Sequence, residues 1–471
     1  MLFNTINFVY FLLPVYFLFW KIKSVKSQNL FLLLSSYFFY SCWDWRFLFL
    51  LLFSTFLDYY SAIKIEESIH KKFWFVLSIS ANLLFLGFFK YFNFFIDSFN
   101  QFLLGFGVKS NIQILNIILP VGISFYTFHG LSYVIDVYKK KITAEKNMID
   151  YGLFVSYFPL LVAGPIERTT HLLPQLKIIK KFDYQKSIDG LKQLLWGCFK
   201  KVVIADQCSL IVDFIFVDHE SFHGLSHLLG ALMFTVQIYC DFSGYTDMAL
   251  GISRLFGIEL LQNFHFPYFS KSIKEFWSKW HISLSSWFRD YVYIPLGGNK
   301  VSYLKRFRNV MITFVLSGFW HGANWTFLVW GCLHGFFTFF HFSYDFKGPK
   351  YIRSIVDGFK ILNTFLIVSL AWIFFRSDSV IDSISFIEVI FSDFSSNASV
   401  NEFISICNNN SLLIITIILF FTIEYMSRNK VYGLQTFDLL PKFLKIPIYY
   451  FVIFLIIIYS GNDQQFIYFQ F

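Results

Sequence analysis

Apolar residues fill most of the chain in long runs, and short polar stretches separate them. A bilayer-spanning helix needs about 20 mostly apolar residues. Runs of that kind lie near 3–20, 29–43, 47–63, 74–95, 112–137, 149–164, 190–216, 225–250, 309–342, 358–375, 411–426 and 446–460. The run at 309–342 is long enough for two passes. Roughly ten to twelve crossings follow. The predicted fold class is an all-α integral membrane protein. No polar linker long enough to separate soluble domains is found, so residues 1–471 are expected to form a single polytopic domain. The first run lacks a basic leader and a small-residue cleavage site, and is read as a span rather than a signal peptide.

One stretch breaks the pattern. Residues 273–291 read IKEFWSKWHISLSSWFRDY. On a helix, Ile273, Phe276, Trp277, Trp280, Leu284, Trp287 and Tyr291 share a stripe, with Glu275, Lys279, Ser286 and Arg289 elsewhere. The spacing predicts an amphipathic helix at an interface or a cavity rim. His281 falls at the edge of the stripe, either facing a polar cavity or as an incidental residue of a surface helix.

Lysine-rich stretches at 21–26, 64–72 and 139–146 alternate between spans. Under the positive-inside rule they are cytoplasmic and the N-terminus is outside. After residue 165 the alternation fails, because 177–186 and 271–279 are both basic. A segment that enters and leaves on one side accounts for this.

Composition agrees with a membrane protein: of 471 residues, 56% are hydrophobic and only 15% charged. The net charge of +9 is spread over short inter-span runs, which argues against nucleic acid as a partner. The six cysteines (Cys42, Cys198, Cys208, Cys240, Cys332, Cys407) form no C-x-x-C pair, so neither a disulfide framework nor a thiolate zinc site is expected. His219, His223 and His227 have a spacing that could mimic a metal face, but they lie in a loop-like segment, and no metal is expected.

Ionisable groups inside apolar segments are costly, and each is a candidate for function. Four places qualify. SGFWHGANWTFLVWG (317–331) carries His321; Gly318 and Gly322 allow close backbone approach, and Asn324 could orient the ring or bind a carbonyl oxygen. His281 is the second. YCDFSGYTDMALG (239–251) holds Asp241 and Asp247, and GPIERTTHLLP (164–174) holds Glu167, Arg168 and His171. A neutral histidine suits removal of a hydroxyl proton near neutral pH. A lone intramembrane histidine can also be a helix–helix hydrogen bond. His334 and His341 are read as structural or interfacial. No P-loop or G-x-S-x-G motif is present, and the H-E-x-x-H match HESFH (219–223) falls in that same loop-like segment.

Several runs together resemble the membrane-bound O-acyltransferase family, and within it the bacterial alginate and peptidoglycan O-acetyltransferase branch. They are PVGISFYTFHGLSYVIDVY (120–138), FPLLVAGPIER (158–168), QIYCDFSGYTDMALGISRLFG (237–257), FWSKWHISLSSWFRDYVYIPLGGNK (276–300), SGFWHGANWTFLVWGCLHG (317–335) and AWIFFR (371–376). They define a motif core of about 120–376.

The resemblance implies a ring of transmembrane helices, with amphipathic or re-entrant helices, around a central funnel. It implies a catalytic base at His321, in the W-H-G-A motif, and a second site histidine at His281, in W-H-x-S-L. Asp241, Asp247, Asn324 and Arg289 are then expected in supporting positions around the funnel. Acetyl-CoA is the implied donor, with no bound cofactor. A separate periplasmic or membrane-anchored SGNH-type transferase is the implied partner, with an envelope polysaccharide as final acceptor in a bacterial inner membrane. The run FIYFQF (466–471) resembles the aromatic ending of companion peptides in teichoic-acid D-alanylation. On that likeness Tyr468 is a candidate acyl acceptor, or else an interfacial anchor. Transfer of D-alanine or another acyl group, and non-enzymatic roles as a polysaccharide or lipid transporter or a scaffold, are the alternatives.

Overall fold

The computed structural model describes residues 1–108, 112–340, 350–461 and 466–467, and every regular element among them is helical. Among the described residues five helices are long and apolar enough to cross a membrane: Arg46–Glu67, Lys71–Gly105, Gly224–Leu255, Ile352–Arg376 and Lys442–Tyr459. A sixth span results if Asn397–Asn409 and Ser411–Met426, bent by 79°, count as one.

These are fewer than the hydropathy pattern predicts, for local reasons. Ile6–Lys21 and Trp325–Phe339 are apolar but only 16 and 15 residues long. The run at 149–164 breaks at Tyr157 into Met148–Ser156 and Phe158–Leu161, with Pro159 in the first turn of the second piece. The run at 112–137 becomes helical only at Ile123, because Gly122 sits at φ 75°, a left-handed conformation that ends the irregular chain before it.

The chain folds as two compact units. One comprises Met1–Leu191 with Ala249–Leu261, the other Lys192–Met248 with Gln262–Phe471. In the first unit, a polar knot stands where lipid-facing helices must satisfy a buried acid. Asp58 accepts from Ser78 Oγ at 2.6 Å and Asn82 Nδ2 at 2.7 Å, which ties Arg46–Glu67 to Lys71–Leu86. Helix Ile123–Tyr138 comes against that knot at Gly130, where a Cβ would collide with Asp58 Oδ2. Asn29 similarly ties Val25–Asp44 to Asp150 Oδ1 at 2.8 Å and to the Leu176 carbonyl at 2.7 Å.

In the second unit, helices Tyr303–His321 and Trp325–Phe339 form a tight hairpin. Glycines set its spacing, as small residues do where helices pack without a hydrophobic driving force. A Cβ at Gly318 would collide with the Phe327 carbonyl oxygen, and one at Gly331 would lie 2.5 Å from that of Phe314. Backbone atoms cannot yield cheaply, so Gly318→Val is expected to separate the hairpin. The check is size-exclusion profile and thermal melting of the detergent-solubilised protein: Gly318→Val should aggregate or melt early, and a wild-type melt would refute the packing argument.

Candidate active site

His321 is the last residue of helix Tyr303–His321, and Gly322 continues the chain as extended backbone at φ −157°. Gly322 has no room for a side chain, since a Cβ there would run into the Phe327 ring. Two residues later Asn324 starts the next helix. Its Oδ1 accepts from the Thr326 N–H at 3.0 Å, an N-cap, and its Nδ2 donates to the Asp378 carbonyl at 2.8 Å. Asn324 therefore shapes the turn that carries His321. The sequence pattern offers it as a group to orient the ring or to bind a carbonyl oxygen; these two hydrogen bonds hold the turn and join it to the Asp378 carbonyl.

The predicted continuous helix over 273–291 is broken. It forms Ile273–Lys279 and Ile282–Phe288, followed by a π-helical turn at Arg289–Tyr293. His281 stands at the break with φ 43° and ψ 54°, a left-handed conformation uncommon for a residue with a Cβ and one that clusters at functional sites. Tertiary contacts override the helical periodicity here. The segment 263–265 pairs with the break, His265 N–H donating to the Lys279 carbonyl and Ile282 N–H to that of Asn263, both at 2.9 Å. The stripe itself is buried from Ile273 to Trp287, so its tryptophans face protein.

The two histidines come together. Their ring centroids are 6.4 Å apart, and both residues are buried. Trp320, Trp330 and Phe375 pack around His321 at 5.0–5.4 Å. Phe242 lies 4.6 Å from His281, with Phe264 at 6.4 Å. Burial among these rings holds the His281 imidazole below its ordinary pKa, so it is neutral at physiological pH. A pair of buried imidazoles packed among aromatic rings suits proton transfer to and from a reacting hydroxyl. His334 Nδ1 accepts from the Trp277 indole N–H at 3.2 Å, while His341 lies outside the described residues.

Asp241 and Asp247 are interior to helix Gly224–Leu255 and meet buried lysines that the motif reading passes over. Lys201 Nζ bridges Asp206 at 2.8 Å and Asp241 at 2.7 Å; Lys200 Nζ meets Asp247 at 2.5 Å. Both lysines sit in a π-helical segment, Phe199–Ala205, which widens the helix at this point. The rule that singles out His321 applies equally to them and to Glu424, whose Oε2 accepts from the Tyr239 hydroxyl at 2.5 Å. The Arg289 side chain is 62% exposed and paired with Asp290. In the GPIER run, Glu167 is buried and meets His171 Nδ1 at 2.7 Å; these belong to the first unit.

Residues 466–467 also enter the second unit. The Phe466 ring lies 5.0 Å from Tyr245 and 6.3 Å from Phe242, the same ring that packs on His281. The Ile467 N–H donates to Asp241 Oδ2 at 2.7 Å. Tyr468 follows in sequence and lies outside the described residues. Among the described residues no group of three or more His, Cys, Asp or Glu side chains could hold a metal ion. His223 and His227 have other partners, the Asp393 carboxylate and the His223 carbonyl.

Comparison with known proteins bears directly on this pocket. Residues 145–375, which include both histidines, match the model of the MBOAT, or membrane-bound O-acyltransferase, family. A probable alginate O-acetylase of Pseudomonas aeruginosa is 38% identical over 384 residues, covering 81% of this chain and 73% of that protein. A peptidoglycan O-acetyltransferase of Helicobacter pylori is 38% identical over 414 residues, covering 81% and 78%. A teichoic acid D-alanyltransferase of Bacillus subtilis is 30% identical over 230 residues, covering 46% and 58%. The chain is a multi-pass membrane acyltransferase, and it belongs to the membrane-bound O-acyltransferase family.

Proposed function

We propose that the protein is a membrane O-acetyltransferase that takes acetyl from cytoplasmic acetyl-CoA and delivers it for O-acetylation of an extracytoplasmic polysaccharide. The observation that carries this is the buried His281–His321 pair, 6.4 Å apart, inside the family-matched region. The acceptor chemistry follows the O-acetylating relatives, which match far more of the chain than the D-alanyltransferase does. The helices would complete a ring of roughly ten to twelve crossings around a funnel, in a bacterial inner membrane, with shorter apolar helices counted as crossings of a thinned bilayer.

In the step itself, His321 takes the proton of an acceptor hydroxyl as its oxygen attacks the thioester carbonyl. The C–O bond forms, the C–S bond breaks, and the proton returns to the leaving sulfur as coenzyme A thiol. His281 positions the thioester or shares in handling the proton. Asp241 and Asp247 support the helix beside the pocket. Tyr468 is the acceptor phenol in this reading, passing acetyl to a separate SGNH-type partner that chooses the polymer. Its support is the docking of residues 466–467 one ring from His281.

Two measurements test this. Membrane vesicles given labelled acetyl-CoA should transfer label to the protein or the polysaccharide fraction; label taken up only from a D-alanyl thioester would replace acetyl by D-alanine. Tyr468→Phe, which keeps the ring and removes the hydroxyl, should lower polysaccharide acetylation by about 10²-fold or more, as loss of a covalent acceptor does. Full acetylation in Tyr468→Phe would end its role as carrier.

A further inference from the structure

The hydrogen bonds around Asn263 fix more than the shape of the loop. Asn263 Oδ1 faces three groups: Ser283 N–H at 3.2 Å, Ser283 Oγ at 2.9 Å and His281 Nδ1 at 3.0 Å. A backbone N–H can only donate, so the amide atom facing Ser283 is the oxygen. An amide oxygen can only accept, so His281 Nδ1 carries the proton in this contact. In a neutral imidazole the other nitrogen, Nε2, then holds the lone pair. Nε2 is buried and meets no hydrogen-bond partner among the described residues.

We propose that Asn263 is a positioning residue that fixes His281 in the Nδ1–H tautomer and leaves its Nε2 as the available base or acceptor in the acyl-transfer pocket. This rests on the reading of His281 as part of that pocket. The same amide oxygen braces Ser283, two residues past the left-handed His281, so one side chain sets both the tautomer and the strained backbone that aims the ring. The loop carbonyl of Asn263 adds the bond to Ile282 N–H.

The surroundings make the tautomer consequential. Among the described residues, the rings in contact with His281 are Phe242, Phe264, Trp320 and His321, of which His321 alone is titratable. The acids of the adjoining helix, Asp241 and Asp247, are committed to Lys201 and Lys200. The hydrogen bond that sets the His281 tautomer is therefore the one to Asn263.

The test uses full-length protein with ¹⁵N-labelled histidine in lipid bilayers, the His281 signals being assigned by their loss in His281→Gln. Nδ1 should resonate as a protonated nitrogen and Nε2 as an unprotonated one. In Asn263→Ala that preference should disappear, and thioester cleavage should fall by about 10²–10⁴-fold, the scale of an imidazole held in the wrong tautomer. Asn263→Asp guards against simple misfolding: every donor to Oδ1 still finds an acceptor, and Asn263 Nδ2 donates to none of the described residues. Its negative charge should move the acidic limb of the pH–rate profile upward by about 1–2 pH units, because a carboxylate favours the charged imidazole. In a His281→Gln background, Asn263→Ala should have no further effect on rate.

A protonated Nε2 in the wild type, or a tautomer unchanged in Asn263→Ala, overturns the proposal. So does an Asn263→Asp profile with its limb in the wild-type position. Full activity in His281→Gln would instead remove His281 from the reaction, an outcome the nitrogen signals separate from a failure of the tautomer assignment.

Discussion

His321→Ala is expected to lower kcat for acetyl transfer by about 10²–10⁴-fold, the usual share of a general base, with KM for acetyl-CoA changed little. His321 closes helix Tyr303–His321 where the hairpin turns, within 5.0–5.4 Å of Trp320, Trp330 and Phe375. None of those three rings can take up a proton, so none replaces the imidazole when it is removed. Alanine also leaves a void between the three rings, and some loss of stability is expected. His321→Gln separates the two effects, because it fills most of the space, keeps polar atoms and cannot act as a base at neutral pH. Its melting should stay near that of the wild type while its rate falls with that of His321→Ala. Wild-type kcat in His321→Gln would rule out His321 as the base.

Lys201→Met should be the most damaging single change to the fold. Lys201 is the cation between Asp206 and Asp241, and all three side chains are no more than 5% exposed. Removing one partner of a buried ionic set costs about 3–5 kcal/mol, since the charge left behind has neither water nor counter-ion. Here two buried carboxylates lose the same cation, and one of them also holds the Ile467 N–H. The variant should therefore melt early and loosen residues 466–467, which limited proteolysis of the solubilised protein would register. Neutralising the acids as well, with Asp206→Asn and Asp241→Asn, should recover part of the loss. A wild-type melting temperature for Lys201→Met would show that the network carries no such load.

Much of this is legible in the sequence, and the reasons differ by residue. The membrane class follows from apolar run length alone, which needs no tertiary information. His321 is visible because a polar residue in a spanning-type run needs a reason, and the glycines beside it announce a close helix pair. The position of His281 at a chain break is not visible. Periodicity from Ile273 to Tyr291 favours one helix, and the break is imposed by the distant segment 263–265. Asn263 leaves no local signal, since its partners are 18 to 20 residues away. Lys200 and Lys201 lie inside the apolar run 190–216 and are open to the same argument as His321, but they belong to none of the runs that the motif reading singles out. Helix count is the least legible feature, because Pro159 and Gly122 cut apolar runs that hydropathy treats as continuous.

The most direct measurement is the alkali-labile acetate on envelope polysaccharide from cells whose own copy is replaced by wild type or by His321→Ala, at matched membrane abundance. The wild type should restore ester-linked acetate and His321→Ala should leave it at the level of the empty strain. Equal acetate with both would contradict an acyltransferase that works through His321.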